Sequence, residues 1–109
     1  MSVLSALFGR GAVNVAGARG LLDEGAVLVD VRSAREFRGG HAPSARNIPL
    51  DQLDRRAATL PAGAPVVVIC HSGVRSAQGA SILKRHGFDA RSVRGGMIAW
   101  ERAGQRVAR

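Results

Sequence analysis

The stretch from Val66 to His86, VVVICHSGVRSAQGASILKRH, decides how this chain is read. Val66, Val67, Val68 and Ile69 form an unbroken β-branched run, as expected of a strand covered on both faces of a parallel sheet. Cys70, the only cysteine in the chain, stands where that run opens into the loop His71-Ser72-Gly73-Val74-Arg75. From Ser76 a helical pattern takes over, with Ala77, Ala80, Ile82 and Leu83 able to face inward and Gly87 as a C-terminal stop. A cysteine at such a junction faces free backbone N–H groups and the positive end of a helix dipole. That environment lowers a thiol's pKa and holds an anion beside its sulfur. The bland alternative is a small buried hydrophobe, the commonest fate of a lone free cysteine. The loop decides against it, because His71, Ser72, Gly73, Arg75 and Ser76 are polar, small or cationic. Gly73 permits the positive φ that lets successive N–H groups point one way, and Arg75 adds a fixed planar cation. The reading is a thiolate nucleophile in an anion-binding cradle.

Working outward, 109 residues suffice for one domain with a proper core and are too few for two. The net charge of +8 is almost all arginine, Lys84 being the only lysine. Arginines are scattered from Arg10 to Arg109 without interleaved stacking aromatics, which argues against nucleic acid and for a basic surface that draws small anions. One cysteine excludes an internal disulfide framework and a cysteine-cluster metal site, so no metal is expected. A free, reactive thiol suits a reducing compartment, and the expected location is the cytoplasm. The opening MSVLSALFGRG lacks a basic n-region and a cleavage site, and no apolar run reaches membrane-spanning length, so no membrane is expected.

In chain order, residues 1–11 read as a short leader, Val13 to Val15 as a first strand, and Ala16 to Glu24 as a helix. Val27-Leu28-Val29 is a buried-strand candidate leading into Asp30-Val31-Arg32. Ser33-Ala34-Arg35-Glu36 matches a capping box for a short helix that Gly39-Gly40 ends. Ala45 to Leu50 reads as extended, and Asp51 to Thr59 as helix. Ala90 to Val93 is the last strand, Met97 to Arg102 a final helix, and residues 105–109 a polar, basic tail. Strands alternating with helices give an α/β domain over residues 12–104 with a largely parallel sheet. The reactive crevice of such sheets lies beyond the carboxyl ends of the strands, where Cys70 falls.

Three patches together carry a family resemblance: VDVRSAREFRGGHAPSARNIPL (Val29 to Leu50), VVVICHSGVRSAQGASILKRHGF (Val66 to Phe88) and VRGGMIAW (Val93 to Trp100). In this order the chain resembles the single-domain form of the rhodanese (thiosulfate sulfurtransferase-like) domain. The resemblance implies a three-layer sandwich in which helices flank the central sheet. It also implies a sulfurtransferase in which Cys70 takes a sulfane sulfur from a small anionic donor such as thiosulfate, becomes a persulfide, and passes the sulfur to cyanide or a thiol. A protein acceptor in a sulfur relay stays open, and no cofactor is implied. Cys70 is the catalytic residue, and His71, Ser72, Gly73, Val74, Arg75 and Ser76 form the anion-binding loop. Arg32 is placed within reach of the substrate, Asp30 supports the loop by hydrogen bonding, and His41 and Asn47 are structural hydrogen-bonders.

Two other functions use a similar fold or loop. A cysteine-dependent phosphatase or arsenate reductase places one residue more between its cysteine and arginine. Here Cys70 and Arg75 enclose only four, and no aspartate general acid is evident. A non-catalytic binding or regulatory module on the same fold would be marked by loss of the cysteine, and Cys70 is present.

Overall fold

The structure, a computed structural model, describes residues 11–109, and the expected leader lies outside them but for Gly11. Five strands, β1 (Ala12–Val13), β2 (Val27–Asp30), β3 (Arg46–Asn47), β4 (Val66–Ile69) and β5 (Ala90–Val93), form one sheet in the order β1-β5-β4-β2-β3. Every pairing in it is parallel. The helices are α1 (Val15–Asp23), α2 (Ala34–Arg38), α3 (Leu50–Arg56), α4 (Val74–Arg85) and α5 (Gly96–Arg102), with a 3₁₀ turn at Ala57–Thr59.

Strand alternation sorts the core into two layers. Val29, Val66 and Val68 face α3 and α4 and pack with Leu53, Ala57, Ala80 and Leu83. Leu28, Val67, Ile69 and Val93 face α1 and α5 and pack with Val15, Ala18, Met97 and Trp100. All four residues of β4 are fully buried, which is why that strand reads as a continuous apolar run rather than an alternating one. Each such side chain contributes about 1.5–3 kcal/mol by burial. The α/β sandwich with its parallel sheet is therefore as expected.

Boundaries differ in instructive places. The first strand is Ala12–Val13, because Asn14 caps α1 by accepting from the Gly17 N–H at 2.8 Å. The expected helix from Asp51 to Thr59 begins at Leu50, after Pro49, and tightens to 3₁₀ over its last three residues. Between Ala45 and Leu50 only Arg46–Asn47 pairs as a strand. The tail folds back. Ala108 exchanges two backbone hydrogen bonds with His41, at 2.9 and 2.7 Å, and the Trp100 indole N–H donates to the Arg106 carbonyl at 2.9 Å. No helix among the described residues is long and apolar enough to cross a membrane.

Register brings the functional residues to one level. Asp30 lies opposite both Ile69 and Asn47, and Val68 opposite Ser92. Cys70 is thus the first residue beyond the carboxyl end of a central strand.

Candidate active site

Cys70 is held by the chain that follows it. Gly73 takes φ 111° as the N-cap of α4, and its N–H donates to Cys70 Sγ at 3.0 Å. This backbone cap explains why α4 begins at Val74 and not at Ser76: no side-chain oxygen is needed, because glycine alone turns the chain. Ser76, one helical turn in, places Oγ 3.4 Å from the sulfur and 3.2 Å from the Gly73 carbonyl oxygen. Behind it stands Ser92 of β5, with the two hydroxyl oxygens 2.7 Å apart and both residues buried. Burial pushes the Cys70 thiol up, but the Ser76 hydroxyl and the backbone N–H groups of Ser76, Gly73 and Ser72 outweigh it, leaving the thiol below its ordinary value.

The loop is held from the far side by α5. The N–H groups of Met97 and Ile98 donate to the Cys70 and His71 carbonyls at 2.8 and 3.2 Å. Backbones approach so closely here that a Cβ on Gly96 would collide with both carbonyl oxygens.

The remaining expected residues are placed as follows. His71 and Ser72 are exposed on the loop, and Val74 is 68% exposed at its tip. Cys70 itself is only 1% exposed, with the Gly73 N–H and the Ser76 hydroxyl both against its sulfur. Arg75 was expected to converge on the sulfur; instead its two terminal nitrogens donate to the Glu36 carboxylate at 2.8 and 3.0 Å. Arg32 was placed near the substrate. Its Nε and Nη2 are taken by the Asp30 carboxylate, and Nη2 also donates to the Gly40 carbonyl at 2.7 Å. Asp30 is fully buried and also accepts from the Arg32 backbone N–H, so this pair ties the end of β2 to the turn before β3. Asn47 clips the same segment by donating to the Asp30 and Arg32 carbonyls, and His41 stacks on Phe37 at 3.7 Å. Two residues escaped sequence reasoning: Ser92, whose one signal is a hydroxyl inside a buried strand, and Glu36 as the partner of Arg75 in addition to its capping role.

Shallow depressions flank the loop. One, of about 380 Å³, has Arg32, Arg35, His71 and Arg109 among its walls; the other, of about 360 Å³, is bounded by Val31, Pro49, Leu50 and Arg75. Among the described residues no group of three or more histidine, cysteine or acidic side chains could hold a metal ion.

Residues 11–103 match the rhodanese-like domain. The chain belongs to that family. It is 37% identical over 82 residues to a sulfurtransferase of Allochromatium vinosum, covering 74% of this chain and 77% of the relative. It is also 37% identical over 83 residues to the thiosulfate sulfurtransferase GlpE of Actinobacillus pleuropneumoniae, covering 75% of this chain and 77% of that one. The crystal structure of a rhodanese-related protein from Thermoplasma volcanium superposes with a TM-score of 0.82 at 28% identity, covering 90% of this chain and 97% of the other. The cysteine loop of this rhodanese-like domain lies within the matched segment.

Proposed function

We propose that this protein is a sulfurtransferase that carries sulfane sulfur as a persulfide on Cys70. The observation that carries the reading is the convergence of the Gly73 N–H, at 3.0 Å, and the Ser76 hydroxyl, at 3.4 Å, on one sulfur beyond a parallel strand. Donors aimed at an anionic sulfur stabilise the attacking thiolate and, after transfer, the anionic persulfide terminus. In the first half-reaction the Cys70 thiolate attacks the outer sulfur of thiosulfate. A new S–S bond forms, the old one breaks, and sulfite leaves with its electron pair. In the second, cyanide or a thiolate attacks the terminal sulfur and Cys70 leaves as thiolate. Attack by a thiolate on sulfur needs no general base in the transfer step itself, which leaves exposed His71 without a proton-transfer duty. Arg35 and Arg109 on the wall of the neighbouring depression would gather an anionic donor beside the loop.

The test is intact-protein mass after incubation with thiosulfate. The expected result is gain of one sulfur atom, removed on addition of cyanide with release of thiocyanate, and no gain in Cys70→Ser. A sulfur adduct that persists in Cys70→Ser would overturn the assignment.

A further inference from the structure

The buried pair Ser76 and Ser92 raises a question of hydrogen count. Each hydroxyl carries one proton and can accept from others. Three acceptors compete for the Ser76 proton: the Gly73 carbonyl at 3.2 Å, Ser92 Oγ at 2.7 Å and Cys70 Sγ at 3.4 Å. Among the described residues Ser76 is the only side-chain partner of Ser92, whose own N–H is already given to the Gly11 carbonyl at 2.8 Å.

With Cys70 protonated, the S–H points to Ser76 Oγ and the Ser76 proton goes to the Gly73 carbonyl. With Cys70 ionised, the Ser76 proton turns to the sulfur. The Gly73 carbonyl does not then go bare, because it still accepts from the Ala77 N–H at 3.1 Å. In both states the 2.7 Å contact can be made only by the Ser92 proton. Were Ser76 to donate toward Ser92 instead, the thiolate would lose its hydroxyl donor and the Ser92 proton would be left buried without an acceptor, an arrangement that costs more than either alternative.

We propose that Ser92 is a positioning residue of the cysteine loop: it donates its hydroxyl proton to Ser76 Oγ in both states of Cys70, and so keeps the Ser76 proton free for the sulfur. This deepens the sulfurtransferase reading by assigning the element that tunes its nucleophile. Donation into Ser76 also polarises that hydroxyl and strengthens its bond to the thiolate. The charged groups around the loop are Arg75 of α4 with its partner Glu36 of α2, the Asp30–Arg32 pair at the end of β2, and Arg35, Glu101 of α5 and Arg109 around the depression that exposed His71 also lines. None of their side chains hydrogen-bonds Ser92, so its substitution removes no partner of a charged group.

The experiment is a titration of thiolate ultraviolet absorbance against pH, which needs no turnover and so stays decisive even if the protein transfers no sulfur. With one cysteine and no tyrosine in the chain, Cys70 is the source of the signal. Loss of a charge-assisted bond in Ser76→Ala should move the midpoint up by roughly 1–2 pH units. Ser92→Ala should move it up by up to about half a unit, the scale of cooperative strengthening. In the double variant Ser92→Ala should add nothing to Ser76→Ala, because its effect passes through that hydroxyl. Ser92→Thr should restore the native midpoint, and Ser92→Val, of matched shape but without a donor, should not; this pair decides the matter if the alanine variant fails to fold. A native midpoint in both Ser92→Ala and Ser92→Val, or an additive shift in the double variant, would overturn the proposal.

Discussion

Glu36 accepts from the Ser33 backbone N–H at 3.2 Å while its two oxygens take the Arg75 guanidinium at 2.8 and 3.0 Å. Those Arg75 bonds, helped by Ser33 and opposed by partial burial, hold the carboxyl down from 4.5 to about 2. A pKa lower in the folded state gives stability that is complete above 4.5 and lost as pH falls toward about 2. The side chains are 39% and 37% exposed, so water screens the pair and it is worth about 0.5–1 kcal/mol. We expect Glu36→Gln to lose that amount at neutral pH and to flatten the acid limb of denaturant-derived stability between pH 4.5 and 2. Parallel acid losses in variant and parent would clear Glu36 of this role. The pairing was not legible in the sequence. The capping box is local and could be read from Ser33-Ala34-Arg35-Glu36, but Arg75 lies 39 positions away and only the fold brings it there. The same holds for Ser76 and Ser92, whose contact crosses from helix to strand, whereas Cys70 announced itself by standing at the end of an apolar run.

At the scale of elements, α5 and the cysteine loop fit as two backbones without side chains between them. A Cβ at Gly96 would strike the Cys70 and His71 carbonyls, to which Met97 and Ile98 donate. Gly96→Ala should therefore cost at least about 2 kcal/mol, combining strain at φ 55° with weakened hydrogen bonds, and should slow sulfur loading in protein that still folds. Gly104 is the control. It also has positive φ, at 75°, but open space around its missing Cβ, so Gly104→Ala should show the backbone cost alone, about 1 kcal/mol. Equal losses in chemical denaturation would mean that close approach is not what requires glycine at 96. Element identity was plain from sequence where periodicity and burial agree: β4 and β5 fall on the expected residues, Val66–Ile69 and Ala90–Val93. Starts were misread where backbone alone sets the cap, as at Gly73 and Pro49, because neither offers a side-chain oxygen to recognise.

Over the whole molecule, sixteen basic residues against eight acidic ones leave a field that reaches beyond any single contact. If it steers an anionic donor, the rate of thiosulfate loading should fall several-fold as ionic strength rises from about 0.01 to about 0.2 M, where the Debye length shrinks from about 30 Å to under 10 Å. A flat response in stopped-flow loading would make the net charge irrelevant to capture. The sheet has a consequence of its own. Its borders among the described residues, β1 and β3, are two residues each, and β3 presents exposed Arg46. A passing polypeptide finds almost no ladder there on which to zip, and a guanidinium stands at the rung it would need. Crowded solutions of this protein should thus resist fibre growth by strand addition, even though its interior is as β-branched as that of many amyloid-forming segments.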